Sequence, residues 1–391
     1  MAYQPLDFYN IEELLNEEEI LIRDTTRKFV DKEVMPIIAE EWEAATFPKS
    51  LIQKMAELGI LGPFVPAKYG GSEASYTTYG LICQELERGD SGVRSFASVQ
   101  GSLVMYPIWK FGSEEQKMEY LPKLASGKLI GCFGLTEPDA GSDPRSMITR
   151  AHKDGNHWIL NGAKMWITNG SMADIAVVWA KDDEGRIRGF VVHKEDKGFS
   201  APEQKHKVSL RASVTSELVF EDVRIPADRE LPNTSDLKSP LMCLTSARYG
   251  IAWGAVGVLQ AVLDEAIRYS QERIMFGKPI ASFQLTQQKL AELATDLSNS
   301  QLAALRVGRL ADEGKMKHYH VSMIKRHNVN AALLGARKVR GMLGANGITL
   351  EYQAIRHMCN MESVQTYEGT FEIHTLILGE HLTGISAFSN T

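Results

Sequence analysis

The sequence has few cysteines for its length, and they lie far apart. Its 391 residues include four, Cys83, Cys132, Cys243 and Cys359. No CxxC pair occurs, which argues against a zinc cluster and against a disulfide framework. The ten histidines include no HExxH motif, so nothing in the sequence predicts a metal site.

Long apolar runs and an excess of positive charge are also missing. A transmembrane helix needs about eighteen consecutive apolar residues, and no uncharged stretch of that length occurs. The net charge of −6 predicts neither a nucleic-acid partner nor a membrane partner. The acidic start, MAYQPLDFYNIEELLNEEE, resembles neither a signal peptide nor a transit peptide. We therefore expect a cytoplasmic bacterial protein, or a mitochondrial matrix protein whose leader has been removed.

The common phosphate-binding loops are absent as well. The sequence contains no GxGxxG motif after a strand and no GxxxxGK[ST] motif, which excludes the usual dinucleotide-binding domain. Any nucleotide cofactor must therefore bind by other means. The length suits two or three domains, and 44% hydrophobic and 24% charged residues are typical of a globular protein.

What is present divides the chain into three segments with different hydrophobic periods. Helical spacing dominates residues 11–126, short β-branched and aromatic runs fill residues 131–226, and long helical patterns return after residue 240. We predict an α+β multidomain fold with an N-terminal helical domain (1–129), a middle antiparallel β-barrel or sandwich (130–236) and a C-terminal four-helix bundle (237–391). The predicted helices are 12–39 with a break at Pro36, 50–58, 76–88, 113–125, 241–272, 282–312, 318–343, 351–364 and 369–385.

Two motifs of the middle segment contain residues suited to ligand binding, although each alone has a simpler explanation. CFGLTEPDAGSDP, residues 132–144, offers hydroxyls at Thr136 and Ser142 and close backbone approach at its glycines. The alternative is a polar turn. KMWITNG, residues 164–170, sets Trp166 beside Thr168, which suits a flat ring. A core aromatic in a hairpin is equally consistent.

Three further motifs lie in the C-terminal segment. In ERIMFGKPIASFQ, Arg273 ends one long helix and Gln284 opens the next, so Arg273 either complements the helix dipole or meets a pyrophosphate. GMLGANGI, residues 341–348, is either a helix C-cap or an anion site. In TYEGTFEIH, Glu368 either begins a helix capped by Thr366 or acts as a base.

Together, in this order and over nearly the whole chain, these motifs resemble the acyl-CoA dehydrogenase family. The resemblance implies an FAD enzyme that desaturates acyl-CoA thioesters. Glu368 then matches the base that removes the α-proton, while the β-hydrogen leaves as hydride to flavin N5. Burial beside flavin and substrate is expected to raise the pKa of Glu368. The resemblance also implies a homotetramer and an electron-transferring flavoprotein as partner.

The resemblance implies a set of FAD contacts. Trp166 is expected to shield one flavin face, Thr168 to bond N5, and Arg273, Gln284 and the turn at 341–345 to reach the cofactor of a neighbouring subunit. The complete set is Phe133, Leu135, Thr136, Gly141, Ser142, Trp166, Ile167, Thr168, Arg273, Phe276, Gln284, Gly341, Met342, Leu343, Gly344, Ala345, Thr370 and Phe388.

The residue before Arg248 bears on the position of the base. Some family members carry it on an earlier helix, just before an arginine such as Arg248. Here that position is Ala247, which cannot take a proton. The resemblance therefore assigns the role to Glu368, and Gly369 beside it lets the acyl chain lie close to the backbone.

Arg94, in ELERGDSGVRSFASVQ, opens an apolar helix where an acyl pocket should be apolar. A charge there is costly unless paired, and a substrate with a distal carboxylate would pair it. The alternatives are a solvated Arg94 at a helix start, or neutralisation by Glu87 or Asp90.

The motifs resemble most closely the branch of the family that decarboxylates glutaryl-CoA to crotonyl-CoA and CO2. Arg94 and Ser95 are then expected to hold the γ-carboxylate, with Glu87 close by. Tyr367 favours the decarboxylating type, since non-decarboxylating relatives carry a small aliphatic residue there. The implied substrate-binding residues are Arg94, Ser95, Glu87, Ser142, Leu241, Ala247, Arg248, Tyr367 and Gly369.

Rival functions stay open at this point. A short-chain acyl-CoA dehydrogenase, an oxidase that reduces O2 directly, and a non-decarboxylating glutaryl-CoA dehydrogenase share the fold. A flavoprotein that binds nucleic acid through the same scaffold is a non-enzymatic alternative. The acidic net charge and the presence of Glu368 oppose that last one.

Overall fold

The N-terminal part of the fold is helical. The structure, a computed structural model, describes residues 6–388. Its first seven α-helices are α1 (Glu17–Phe29), α2 (Ile38–Ala44), α3 (Ser50–Glu57), α4 (Tyr76–Gly89), α5 (Ser91–Ser98), α6 (Tyr106–Phe111) and α7 (Glu114–Ala125). The predictions for α3, α4 and α7 are confirmed to within one residue at each end.

The predicted helical segment over 12–39, with its break at Pro36, has different bounds in the structure. α1 begins later because Asn16 and Glu19 form a reciprocal capping box, each side chain bonding the backbone N–H of the other. α1 then runs into a π-turn, Val30–Val34, and α2 begins after Pro36. The break expected at the proline is therefore confirmed, and the chain resumes a helix beyond it.

The middle part is a curled sheet. Its strands are β1 (Gly131–Gly134), β2 (Arg150–Asp154), β3 (His157–Thr168), β4 (Ile175–Lys181), β5 (Ile187–His193), β6 (Phe199–Ser200) and β7 (Thr215–Pro226). The order is β1-β4-β2-β3-β7-β6, with β5 pairing β4. Pairing is antiparallel except where β4 meets β1 and, at one residue pair, β2. The two runs HWILNG and KMWITNG form the single bulged strand β3.

The C-terminal part returns to helices. α8 (Lys238–Glu272) is followed by a small hairpin, β8 (Ile274–Met275) and β9 (Lys278–Pro279), and then by α9 (Gln284–Asp312), α10 (His318–Met342), α11 (Ala354–Thr366) and α12 (Phe371–Thr383). All five predicted helices occur within three residues of their expected bounds. The predicted fold class is confirmed, while the domain boundaries after residues 129 and 236 stay predictions.

Helices α4 and α8 pack closely enough to require glycine. A Cβ atom placed on Gly257 would lie 1.9 Å from the carbonyl oxygen of Gln84, and one placed on Gly254 would lie 1.7 Å from Oε2 of Glu87. The GIAWGAVG stretch therefore serves packing within one subunit. This contact also fixes where the Glu87 carboxylate lies.

Helix α8 is long and apolar enough to cross a bilayer by length and composition alone. In its most apolar window, however, 89% of the residues are buried inside the protein. Trp253 and Ile251 on this helix belong to the largest hydrophobic core. Its apolar character is accounted for by that core.

Candidate active site

Glu368 lies in a tight bend between α11 and α12. Glu368 and Gly369 both have left-handed backbone angles, with φ of 53° and 96°. Such a conformation costs a residue with a side chain about 1–2 kcal/mol. Thr370, not Thr366, caps the following helix, since its hydroxyl accepts from the Ile373 N–H at 3.2 Å. Glu368 therefore lies outside the helix, and the alternative in which it begins a helix capped by Thr366 is wrong.

Two buried cations stabilise this bend through its carbonyl groups. The Lys325 ammonium donates to the carbonyl oxygens of Tyr367 and Gly369, each at 2.6 Å. Arg248 Nε donates to the carbonyl oxygen of Glu368 at 2.5 Å. Three consecutive carbonyls thus accept charge-assisted hydrogen bonds, which offset the cost of the left-handed backbone.

The carboxylate of Glu368 is poised to accept a proton. Its Oε2 is sealed from solvent and has no hydrogen-bond partner within residues 6–388. Burial raises the pKa of Glu368, while Arg94, Lys325 and Arg248 act in the opposite direction. A buried carboxylate with a raised pKa and an unused oxygen has the properties of a general base.

Arg94 lies close to this carboxylate and is already paired. It is 1% exposed, on the second turn of α5, and its Nε donates to Glu87 Oε2 at 2.7 Å. Its Nη2 donates to the Tyr367 hydroxyl and to Glu87 Oε1. Within residues 6–388 its Nη1 donates to no protein acceptor. Of the alternatives left open by the sequence, the structure shows neutralisation by Glu87.

Asp90, the other acid considered for Arg94, has different partners. Its side chain caps α5 by accepting from the Gly92 N–H at 2.6 Å. Its second oxygen accepts from Arg356 and Asn360 at 2.6 and 2.8 Å. Asp90 therefore ties α5 to α11 and does not neutralise Arg94.

Tyr367 connects the two halves of this site. Its ring centroid lies 5.7 Å from Cζ of Arg94 and 5.8 Å from Nζ of Lys325. Burial raises the pKa of Tyr367, so its hydroxyl stays protonated near neutral pH. Since Tyr367 precedes Glu368 in the chain, it links the position of the base to the position of Arg94.

The loop at 133–143 is anchored by a buried ion pair. The Lys164 ammonium donates to Glu137 Oε1 at 2.8 Å and to the Leu135 carbonyl oxygen at 3.1 Å. The same carboxylate accepts from the N–H groups of Ile148 and Thr149 at 2.6 and 3.0 Å. These contacts hold the loop against β3. The exposed end of the loop includes Gly141 and Ser142.

The next candidate surface lies at the end of β3. The side chain of Trp166 is 63% exposed, and its backbone is left-handed, with φ of 64°. Thr168, two residues later, is half-buried. The Met165 N–H donates to the Thr136 carbonyl oxygen at 2.8 Å, which joins this strand end to the loop. An exposed aromatic face beside two threonines is suited to a planar ring system. Ile167 is buried in the sheet core instead.

The remaining residues predicted to contact FAD are partly buried in the core and partly exposed in the C-terminal part. The side chains of Phe133 and Leu135 are buried in the largest core, so any ligand contact there must use their backbone. Exposed positions in the C-terminal part are Arg273, Phe276, Gln284, Gly341, Gly344, Ala345 and Phe388, whereas Leu343 is buried and Met342 is half-buried. Phe276 is 91% exposed. This surface is open to solvent in the single chain.

The residues predicted to bind the substrate also differ in how far they are buried. Ser95 is buried one residue after Arg94, and Ala247 is buried one residue before Arg248. Leu241 is partly exposed near the start of α8. The structure therefore brings Glu87, Arg94, Arg248, Tyr367 and Glu368 together and leaves Ser142 and Leu241 nearer the solvent.

Sequence reasoning missed Lys325 and His374. Lys325 occupies an apolar position of the buried stripe of α10, which was a readable signal. His374 Nδ1 lies 3.0 Å from Ser322 Oγ, and its Nε2 would lie 3.1 Å from a Cβ atom on Gly369. Burial, with Lys325 and Arg248, lowers the pKa of His374 to about 2. It is a neutral wall of the site.

Three family models match the chain. They are described as the N-terminal, middle and C-terminal domains of acyl-CoA dehydrogenase, and they match residues 16–128, 132–223 and 237–383. The matches cover most of the chain in the expected order.

Individual proteins are similar over nearly the full length. Short-chain specific acyl-CoA dehydrogenase, mitochondrial, from Bos taurus is 36% identical over 373 residues, which are 94% of this chain and 90% of that protein. A glutaryl-CoA dehydrogenase from Mycobacterium smegmatis in complex with FADH2 is 50% identical, with a TM-score of 0.97 and coverage of 99% and 100%. A chain in a structure of the electron transferring flavoprotein of Acidaminococcus fermentans is 34% identical, with a TM-score of 0.92 and coverage of 97% and 100%.

Proposed function

The chain belongs to the acyl-CoA dehydrogenase family and uses FAD, and on this premise we propose that it oxidises and decarboxylates glutaryl-CoA to crotonyl-CoA. One observation carries the proposal. The buried, unpartnered carboxylate of Glu368 and the buried guanidinium of Arg94 are connected through Tyr367 in a single site. A base and a cation in one site suit an acyl chain that carries a carboxylate at its far end.

Glu368 removes the α-proton of the thioester in this proposal. An α-proton is weakly acidic, so the thioester oxygen needs hydrogen-bond donors as charge develops on it. The Glu368 N–H donates to no acceptor within residues 6–388, and the bend leaves it available. Gly369 keeps the adjacent space free, since a Cβ atom there would crowd His374 and Arg248.

The residues around Trp166 fit FAD. The exposed face of Trp166 suits the isoalloxazine ring, and Thr136 and Thr168 offer hydroxyls beside it. When bound, FAD accepts the hydrogen and the electron pair that leave the β-carbon. The loop anchored by Glu137 and Lys164 would hold the cofactor in place.

Arg94 holds the distal carboxylate in this proposal. Its Nη1 is free to donate, while Glu87 orients the rest of the guanidinium. The carboxylate of the oxidised product is attached to the γ-carbon, vinylogous to the thioester carbonyl. When the bond to CO2 breaks, its electron pair is delocalised through the C=C bond into the thioester, which leaves a stabilised dienolate. Glu368, protonated in the first step, then returns its proton to the γ-carbon. The similarity at 50% identity to a glutaryl-CoA dehydrogenase supports this substrate.

Product analysis tests the proposed function. The FAD-loaded protein is incubated with glutaryl-CoA and an artificial electron acceptor, and the thioesters are separated by mass spectrometry. We expect crotonyl-CoA and an equal amount of CO2. Accumulation of glutaconyl-CoA would identify a non-decarboxylating enzyme, and no oxidation of glutaryl-CoA would remove the proposed substrate.

Replacement of Tyr367 by valine is expected to uncouple oxidation from decarboxylation. The variant removes the hydroxyl that accepts from Arg94 and opens space beside the γ-carboxylate. Glutaconyl-CoA should then accumulate at the expense of crotonyl-CoA in the same assay. Tyr367→Phe, which keeps the ring, separates the hydroxyl from the volume. An unchanged CO2 yield in both variants would contradict a role for Tyr367 in this step.

A second candidate function is a short-chain acyl-CoA dehydrogenase. It is favoured by the neutralisation of Arg94 by Glu87, because a neutral pair needs no substrate anion. The similarity to the short-chain enzyme from Bos taurus agrees with it. A higher kcat/KM on butyryl-CoA than on glutaryl-CoA would establish this alternative.

Two partners complete the proposal. An electron-transferring flavoprotein would reoxidise the cofactor. A chain that is similar to this protein occurs in the structure of the electron transferring flavoprotein of Acidaminococcus fermentans. The exposed apolar residues of the β8–β9 hairpin and α9, including Phe276 and Leu285, suit contact with other copies in a homotetramer. Rapid reoxidation of the reduced protein by O2 alone would indicate an oxidase instead.

A further inference from the structure

We propose that Lys325 is a positioning residue of the reaction. It holds the bend at residues 367–369 in the shape that aims the Glu368 carboxylate, and its charge favours the ionised form of that carboxylate. The inference rests on the role of Glu368 in the proposed function. It does not depend on which acyl chain is the substrate.

Lys325 fixes the geometry of the bend. Lys325 donates to the carbonyl oxygens on either side of Glu368, those of Tyr367 and Gly369. The Lys325 ammonium therefore binds both ends of the bend, while Arg248 binds the carbonyl oxygen of Glu368 between them. Without Lys325, two carbonyl groups of the bend would lose their donor, and the left-handed backbone at Glu368 would lose its support.

Lys325 also contributes to the distribution of charge around Glu368. The charged and titratable groups that face Glu368 are Arg94 from α5, Arg248 from α8, Lys325 from α10, His374 from α12 and the adjacent Tyr367, with Glu87 from α4 behind Arg94. His374 and Tyr367 are neutral. Arg94, Lys325 and Arg248 all favour the ionised Glu368 carboxylate, and of the three Lys325 is the one that also binds the carbonyl groups on both sides of Glu368.

The two charges support each other. Burial, with the repulsion of Arg248, lowers the pKa of Lys325, and the Glu368 carboxylate opposes this. In turn Lys325 is one of the cations that restrain the rise in the pKa of Glu368. Removal of the Lys325 charge must then raise the pKa of Glu368 further, so that less of the base is ionised near neutral pH.

The experiment measures the protonation of Glu368 directly. Infrared difference spectra of the FAD-loaded protein are recorded against pH, and the carboxylic acid band of Glu368 is identified by its loss in Glu368→Gln. The titration is repeated with Lys325→Met, with Lys325→Arg and with Lys338→Met. Lys338 is a matched control because it is on the same helix and pairs with Glu292 near the surface. Flavin bleaching by butyryl-CoA is followed in parallel.

In Lys325→Met we expect the titration midpoint of Glu368 to rise by about one pH unit. The bleaching rate should fall about tenfold at pH values well below both midpoints, and by less as the pH rises. Lys325→Arg should restore much of the midpoint, and Lys338→Met should leave it unchanged. A lower melting temperature with an unchanged midpoint would show a merely structural lysine and overturn the proposal. If Lys325→Met does not fold, Lys325→Gln, which keeps a donor without the charge, carries the same test.

Failure of the substrate assignment gives a different pattern. If the wild-type protein bleaches with butyryl-CoA and not with glutaryl-CoA, the proposed substrate is wrong while the Lys325 comparison stands. If the acid band that Glu368→Gln removes does not respond to Lys325→Met, the inference about Lys325 is wrong whatever the substrate.

Discussion

Replacement of Glu368 by glutamine is expected to lower the rate of flavin reduction roughly 10²–10⁴-fold, the usual contribution of a general base. Glutamine has nearly the same shape but cannot accept the proton at neutral pH. The bend is held by carbonyl contacts with Lys325 and Arg248, which the substitution leaves in place. FAD content and acyl-CoA binding should therefore be preserved. The measurement is anaerobic stopped-flow bleaching with saturating glutaryl-CoA or butyryl-CoA.

Glu372→Gln is the matched control for this experiment. Glu372 lies four residues later, in the first turn of α12, and is exposed. Its replacement by glutamine makes the same change in charge and shape as Glu368→Gln. The Glu372→Gln variant should bleach at the wild-type rate. Bleaching of Glu368→Gln at the rate of this control would exclude Glu368 as the base.

Replacement of Arg94 by methionine is expected to cost glutaryl-CoA roughly 2–4 kcal/mol of transition-state stabilisation, since a buried ionic contact with the substrate is lost. That corresponds to about a 30- to 1,000-fold fall in kcat/KM. Butyryl-CoA has no distal carboxylate, so its kcat/KM should fall much less. The informative quantity is the ratio of the two losses.

The pairing of Arg94 with Glu87 requires a second variant. In Arg94→Met alone the Glu87 carboxylate is left buried and unpaired, which by itself destabilises the site. Arg94→Met with Glu87→Gln removes both charges together. This double variant should recover turnover of butyryl-CoA and not of glutaryl-CoA. Equal losses on both substrates in the double variant would refute the role of Arg94 as a carboxylate clamp.

The helices were predictable where the hydrophobic period was long and uninterrupted. α9 and α10 begin within two residues of their expected positions because their apolar stripes run for more than twenty residues. The start of α1 was missed although Asn16 and Glu19 form an N-x-x-E capping signal in the sequence. This capping signal marks the start of the helix correctly, whereas the apolar pattern extends upstream of it into residues that are not part of α1.

The active site was predictable only in part, because its contacts join distant parts of the chain. Glu368 and Arg94 were identified by motif, yet the sequence left open whether Glu87, Asp90 or solvent neutralises Arg94. The choice depends on how α4, α5 and α8 pack. The burial of Lys325 was readable from its place in the apolar stripe of α10, but its partners, the carbonyl groups of Tyr367 and Gly369, were not, because no side-chain pattern reveals them.

The close approach of α8 to Glu87 links the interior packing of the protein to its choice of substrate. Where Gly254 stands, even a methyl group would displace the acid that orients Arg94. A change of one carbon at Gly254 is therefore expected to alter how Arg94 receives an acyl tail. Under the proposed function, the preference for a charged or an uncharged acyl tail can therefore change through the spacing between helices, with the base itself unchanged.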